Sequence, residues 1–132
     1  MNKLTKDIVE FVIFVALAWI FYQVLAMAVN TPMPLVSVVS ESMEPVLHRG
    51  DLLFVTGGNY SVRDVVIYQR YDVDYTIVHR IIEEDENGLT IKGDNNPMPD
   101  PGYVERSQIL GKVRFAMPML GYPRLALHWV GI

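Results

Sequence analysis

The chain contains no cysteine and no tract of basic residues. The absence of cysteine among its 132 residues excludes a disulfide framework, a thiol nucleophile and thiolate-ligated zinc or iron–sulfur sites. Its 11 Lys and Arg against 15 Asp and Glu give a net charge of −4, and without a basic patch no nucleic-acid partner is expected. The three histidines, His48, His79 and His128, have no close metal-ligand spacing, so no metal and no cofactor is predicted.

Charged residues are missing from one long apolar run, which covers residues 11–29. Gln23 is its only strongly polar residue, and 11 of the 19 are Leu, Ile, Val or Phe. As a helix the run is roughly 28 Å long, close to the ~30 Å hydrocarbon core of a bilayer. It is longer than the apolar core of a cleaved signal peptide, and it lacks the polar stripe of an amphipathic core helix. The run therefore predicts an uncleaved membrane helix within an N-terminal anchor, residues 1–30.

The orientation of this helix follows from the few charges before it. Lys3 and Lys6 precede the run, together with Asp7 and Glu10, and acidic residues count little in the positive-inside rule. The lysines favour a single-pass protein with a cytoplasmic N-terminus. The residues after the helix would then lie on the extracytoplasmic or lumenal side.

After residue 30 the sequence changes to short β-like runs separated by Gly, Pro, Asn and Asp clusters. Asn87-Gly88 between two such runs is typical of a hairpin. The pattern predicts a mainly β fold, a small antiparallel β-barrel-like domain at residues 31–114. The apolar segment 115–132, interrupted by Pro and Gly, is expected to be interfacial or to begin a second span. The predicted strands are Leu35–Val39, Leu52–Thr56, Val65–Gln69, Tyr75–Glu83, Leu89–Lys92 and Ile109–Phe115.

Three places in the β region could carry chemistry. Ser42 follows a β-like run and precedes the rigid Pro45, so its hydroxyl and backbone N–H can be held in place. His79 shares a strand face with apolar neighbours, and its ring suits a general base at neutral pH. Asp94 and Asp100 lie in a loop stiffened by prolines. Each has an ordinary reading as well, as a solvated turn serine, a buried core histidine and plain turn carboxylates.

Taken in order, these stretches resemble the type I signal peptidases. SESMEPVLHRGDLLFV resembles the nucleophile region of that family, and IVHRII and IKGDNN with a following Asp resemble its later boxes. The resemblance extends from the anchor to Gly111-Lys112-Val113. It is to the archaeal and endoplasmic-reticulum branch, because bacterial members have a lysine base where this sequence has His79.

The resemblance implies a membrane-bound serine endopeptidase that cleaves signal peptides from exported proteins after small residues at −3 and −1. It implies that Ser42 is the nucleophile, His79 the general base and Asp100 the acid of the triad. Asp94 would be a supporting acid. Ser40 matches the position whose hydroxyl helps to form the oxyanion hole in bacterial relatives.

The partners implied are signal-peptide-bearing preproteins, the lipid bilayer, and a translocation channel or accessory subunits. Two other functions stay open at this point. The chain could be a non-catalytic, membrane-anchored β-domain that acts as a binding subunit of a membrane assembly. It could also be an autoprotease of the repressor-cleaving type, although the membrane helix and His79 both oppose that interpretation.

Overall fold

The computed structural model describes residues 2–118, and its first element is one long helix. Helix α1 spans Lys3–Ala28, and the Asn2 side chain caps it by accepting a hydrogen bond from the Thr5 N–H at 2.8 Å. None of its residues is buried, and a stretch of 18 residues within it has a mean hydropathy of 2.3, so the helix is long and apolar enough to cross a membrane. It begins eight residues before the predicted apolar run, because the polar residues that precede the run continue the same helix.

The rest of the described chain forms one antiparallel sheet of six strands. The strand order is β1-β2-β6-β3-β4-β5, so β1 and β5 are the two edges. This arrangement confirms the prediction of a mainly β, antiparallel fold that follows an N-terminal helix. The strands are β1 Leu35–Ser37, β2 Leu52–Thr56, β3 Val65–Gln69, β4 Thr76–Asp85, β5 Gly88–Lys92 and β6 Ile109–Met117, with a 3₁₀ turn at Arg106–Gln108.

Buried apolar side chains form two clusters, and β3 contributes to both. Its three consecutive buried residues, Val66, Ile67 and Tyr68, alternate between the faces of the sheet, as side chains in a strand do. Ile67 belongs to the first cluster, whereas Val66 and Tyr68 belong to the second. The first cluster also contains Val36, Val38, Met43, Leu47, Leu53 and Val55, and the second also contains Ile81, Leu89, Ile91, Val104 and Ile109.

The hairpin predicted at Asn87-Gly88 joins β4 to β5. Asp85 and Gly88 are paired across it, so the two loop residues are Glu86 and Asn87. Gly88 is the first residue of β5 and has a φ of +135°, a conformation that favours glycine. The hairpin is therefore present, with its loop one residue earlier than the dipeptide indicates.

The end of α1 packs directly on the sheet. The Gly57 N–H, just after β2, donates to the Val29 carbonyl at 2.7 Å. The buried hydroxyl of Thr31 donates to the Leu110 carbonyl on β6 at 2.6 Å. No side chain fits at Gly57, because a Cβ there would lie 1.7 Å from the Asn30 carbonyl oxygen. The helix is thus tied to two strands within three residues of its last turn.

Most of the predicted C-terminal segment, residues 115–132, falls at 119–132 and lies outside the described residues. β6 continues to Met117, past the boundary predicted at residue 114. The division of the chain into an anchor, a peptidase domain and a C-terminal segment stays a prediction.

Candidate active site

Ser42 lies in a turn that follows β1 and is held from two sides. β1 ends at Ser37, two residues earlier than predicted, and the chain then turns. Met43 is buried beneath this turn, and its carbonyl accepts the Leu47 N–H at 2.9 Å. From the other side, the Asn95 N–H donates to the Ser42 carbonyl at 2.8 Å. These bonds fix the Ser42 backbone while its side chain faces a groove.

His79 connects Ser42 to Asp100. It lies on β4 opposite Val66 of the central strand β3, and it is 9% exposed. Its Nε2 is 3.0 Å from Ser42 Oγ, and its Nδ1 is 2.6 Å from Asp100 Oδ2. The sheet and two loops therefore bring together three side chains that are far apart in sequence, in an unbroken line of contacts.

The Asp100 carboxylate accepts hydrogen bonds from two side chains. One is His79, and the other is the fully buried hydroxyl of Tyr68, which donates to the same oxygen, Oδ2. Burial opposes ionisation of Asp100, but these hydrogen bonds outweigh it and hold its pKa below the ordinary value. An ionised carboxylate only accepts, so Nδ1 of His79 carries the proton and Nε2 faces Ser42 as an acceptor.

Asp94 pairs with an arginine and not with the histidine. Arg80 donates to it through Nε at 2.9 Å and through Nη2 at 2.8 Å, and both side chains are mostly buried. The hydrogen bond from Arg80 holds the pKa of Asp94 below its ordinary value. A guanidinium on β4 thus contacts both oxygens of this carboxylate. Within residues 2–118 no hydrogen bond joins Asp94 to His79.

The hydroxyl of Ser40 is in contact with the nucleophile candidate. Its Oγ lies 3.0 Å from Ser42 Oγ and accepts the Ser42 backbone N–H at 3.5 Å. Because the Ser42 hydroxyl faces the acceptor nitrogen of His79, the Ser40 hydroxyl is the donor between the two serines. The Ser42 N–H thus faces Ser40 Oγ, and the Ser40 hydroxyl faces Ser42 Oγ.

A groove of about 1160 Å³ opens beside Ser42 and His79. One wall is formed by β1 and the residues after it, and the other by the start of β4, where Tyr75 and Ile77 lie. Tyr22 of the N-terminal helix also lines the groove. The lining is largely apolar, and Ser42 and His79 supply its reactive atoms.

Gly93 has no side chain, and the His79 ring occupies part of the space that a side chain there would need. A Cβ on this buried glycine would lie 2.9 Å from His79 Nε2 and 2.8 Å from the Ser42 carbonyl oxygen. Both distances are shorter than a normal van der Waals contact. The loop after β5 can therefore approach the Ser42–His79 contact only with a hydrogen atom at this position.

His48 does not join the site. His48 is exposed and lies 3.6 Å from Glu44, while His128 is outside the described residues. Among residues 2–118, no group of three His, Cys, Asp or Glu side chains is placed to hold a metal ion.

Two residues in contact with the site were not predicted from the sequence, Tyr68 and Arg80. Tyr68 lies within an apolar strand, where a buried hydroxyl requires a hydrogen-bond partner. This requirement is the one feature of the sequence that could have indicated a polar contact of Tyr68. Arg80 directly follows His79, so its side chain points to the opposite face of β4. Its partnership with Asp94 depends on how β5 and the following loop pass β4, which no local pattern reveals.

Comparisons with known proteins agree with this geometry. The family model described as Peptidase S24-like matches residues 19–114, a range that contains Ser42, His79 and Asp100. The signal peptidase complex catalytic subunit SEC11 of Fusarium vanettenii is 36% identical over 141 residues, which cover 96% of this chain and 82% of the fungal protein. The SEC11 subunit of Schizophyllum commune is 34% identical, with 97% and 82% covered. That of Saccharomyces cerevisiae is 39% identical over 122 residues, with 81% and 73% covered.

Proposed function

Because this chain belongs to the type I signal peptidases of the archaeal and endoplasmic-reticulum branch, we propose that Ser42, His79 and Asp100 are its catalytic triad. The chain is a serine endopeptidase that cleaves signal peptides. The line of contacts from Ser42 Oγ through the His79 ring to Asp100 Oδ2 is the observation that supports these roles.

In the first step His79 acts as the general base. Its Nε2 takes the Ser42 hydroxyl proton while Oγ attacks the carbonyl carbon of the scissile peptide bond. Asp100 keeps the ring in the tautomer that exposes Nε2 and stabilises the imidazolium without taking its proton. The imidazolium then donates this proton to the leaving amine, and an acyl-enzyme on Ser42 results. A water molecule activated by Nε2 hydrolyses that ester and restores the Ser42 hydroxyl.

The negative charge on the carbonyl oxygen needs donors when the tetrahedral intermediate forms. We assign this role to the Ser42 backbone N–H and the Ser40 hydroxyl. Before substrate binds, the Ser42 N–H donates to Ser40 Oγ and the Ser40 hydroxyl contacts Ser42 Oγ, and both donors must turn to the oxyanion when Ser42 Oγ becomes bonded to carbon. Asp94 supports the site indirectly, since its ion pair with Arg80 fixes the loop that carries Gly93.

The groove fits an extended peptide. β1 is an edge strand and forms one wall, so its free backbone groups can pair with a substrate strand. A substrate segment that emerges from the bilayer in an extended form has no other partners for its backbone. We propose that the largely apolar lining of the groove beside Ser42 accepts small side chains at −3 and −1 of the substrate in two shallow pockets. Specificity would thus come from backbone pairing combined with the size of two pockets.

Helix α1 anchors the chain in the membrane, and we infer that the sheet lies on the extracytoplasmic or lumenal side. Lys3 and Lys6 before the apolar run favour this orientation. Tyr22, close to the end of the helix, lines the same groove as Ser42, which supports cleavage close to the bilayer surface. The printed names of the fungal relatives describe subunits of a complex. We therefore propose preproteins, the surrounding bilayer, and accessory subunits or the translocation channel as partners.

A cleavage assay on the full chain in detergent or liposomes tests the proposal. A synthetic signal peptide with small residues at −3 and −1 should be cut once, and Ser42→Ala and His79→Ala should abolish cleavage while remaining folded. Ser107→Ala is the matched control, because Ser107 is exposed and, within residues 2–118, its hydroxyl hydrogen-bonds only to Glu105. Cleavage by Ser42→Ala would remove Ser42 as the nucleophile, and no cleavage by the wild type would favour a membrane-anchored binding module instead.

A further inference from the structure

Tyr68 carries a hydroxyl at a position where packing alone would require only an apolar ring. It is fully buried on the central strand β3, in the cluster that includes Val66, Ile81 and Ile91. A buried hydroxyl without a partner is unfavourable, and phenylalanine would fill the same space. The hydroxyl instead donates to Asp100 Oδ2, the oxygen that faces His79.

The loop around Asp100 explains why this donor matters. Pro99 and Pro101 flank Asp100 and have no backbone N–H to offer its carboxylate. The N–H of Asp100 itself donates to the Ile91 carbonyl at 2.7 Å. Within residues 2–118, the Tyr68 hydroxyl is therefore the only donor to this carboxylate besides His79.

We infer that Tyr68 is a positioning residue that holds the Asp100 carboxylate against His79 and shares its negative charge. This inference rests on the proposed triad. The hydroxyl keeps Oδ2 aimed at Nδ1, because a carboxylate with a single hydrogen bond can rotate away from it. It also removes part of the charge with which Asp100 stabilises the protonated ring. Tyr68 therefore favours the neutral, basic form of His79 at lower pH.

Removal of the Tyr68 hydroxyl would not alter the other charged groups near His79 and Asp100. Arg70, which is paired with Asp72 at 2.6 Å, acts on Asp100 through space. Asp94 is neutralised by Arg80 on the other side of His79. Removing the Tyr68 hydroxyl therefore changes one hydrogen bond at Asp100 and leaves the surrounding charges in place.

The test is the pH dependence of single-turnover cleavage by Tyr68→Phe with enzyme in excess, so that the rate does not depend on the active fraction. We expect the acid limb to move up by about 0.5–1 pH unit, with a lower plateau rate. This shift is part of the strength of one charge-assisted hydrogen bond, because the hydroxyl binds the carboxylate beside both the neutral and the protonated ring. KM should be unchanged. Tyr60→Phe is the control, since Tyr60 packs against the same cluster and its hydroxyl has no hydrogen bond within residues 2–118. A lower thermal midpoint with an unmoved acid limb would mean a purely structural role and would overturn the inference.

Two further measurements keep the test decisive. If Tyr68 acts through Asp100, then adding Tyr68→Phe to Asp100→Asn should not reduce the residual rate further, and an additive loss would contradict this. If Tyr68→Phe does not fold, wild-type chain made with fluorotyrosine provides a stronger donor at the same place. Its acid limb should move to lower pH, and an unmoved limb would refute the inference. Failure of the proposed function itself looks different, because Ser42→Ala would then still cleave.

Discussion

Gly93→Ala is the substitution that most directly tests the packing of the site. Gly93 is buried and has no positive φ, so its backbone accepts alanine and the effect is purely steric. The new methyl group would lie 2.9 Å from His79 Nε2, and a contact of about 3.5 Å requires a shift of roughly 0.6 Å. The nearest atom, Asn96 Nδ2 at 2.7 Å, ends a side chain that can turn away, whereas the Ser42 carbonyl at 2.8 Å is held by the Asn95 N–H. We therefore expect the imidazole to move together with the Asn96 amide.

Such a shift should cost more activity than stability. It lengthens the 3.0 Å contact between His79 Nε2 and Ser42 Oγ, and misplacing a catalytic group by ~1 Å can lower the rate about 10²-fold. Overpacking of this kind destabilises a fold by roughly 1–3 kcal/mol. We therefore expect a folded Gly93→Ala enzyme whose kcat is reduced by up to roughly 10²-fold.

The assay compares single-turnover cleavage with the thermal midpoint of each variant. Gly111→Ala is the matched control, because its Cβ would lie 2.3 Å from Val55 Cγ1, far from the triad. It should lower the thermal midpoint at least as much as Gly93→Ala and leave the single-turnover rate of the folded enzyme nearly intact. If a folded Gly93→Ala enzyme cleaves within about threefold of the wild-type rate, a variation too small for a displaced base, the steric argument is refuted.

Substitutions at the two acids and at Ser40 separate chemistry from stability. Asp100→Asn should remain folded and lose about 10⁴ in kcat, whereas Asp94→Asn should lose less activity and more thermal stability; the reverse ranking would make Asp94 the triad acid. Ser40→Ala should lower kcat by roughly 10²–10³ at constant KM, and an unchanged kcat would remove Ser40 from the oxyanion hole. The hydrogen bond from Arg80 depresses the pKa of Asp94, so its contribution to stability is complete above the unfolded value of about 4 and is lost as pH falls further. The thermal midpoint should therefore fall less steeply below that pH in Asp94→Asn, and parallel curves would contradict this.

The strands of this fold could be predicted closely from local patterns. All six predicted runs match a strand to within two residues at each end, because apolar alternation and turn residues act over short distances. The run predicted for β1 is two residues too long, since Val38 stays buried and apolar after the ladder with β2 ends at Ser37. The apolar pattern of the sequence indicates which residues are buried, whereas a strand also requires hydrogen bonds to a neighbouring strand.

The residues around the candidate triad were only partly predictable. Ser42, His79 and Asp100 emerged from motifs, but their distances depend on the register of β3, β4 and β5. The bonds of Tyr68 to Asp100 and of Arg80 to Asp94 join residues 32 and 14 positions apart. Such contacts result from the tertiary fold, so neither residue carries a signal in its own neighbourhood beyond its chemical type.

Because the connection between α1 and the sheet is short, we expect the cleavage rate to depend on the thickness of the bilayer. The apolar run of 19 residues is roughly 28 Å long, close to the ~30 Å hydrocarbon core, so in a thinner bilayer the helix tilts and in a thicker one it stands upright. The bonds from Gly57 to Val29 and from Thr31 to Leu110 leave little freedom between the helix and the strands. A change in tilt must then rotate the groove relative to the emerging peptide. We expect cleavage of one substrate to vary between liposomes of short-chain and long-chain lipids even though no residue of the protein has changed.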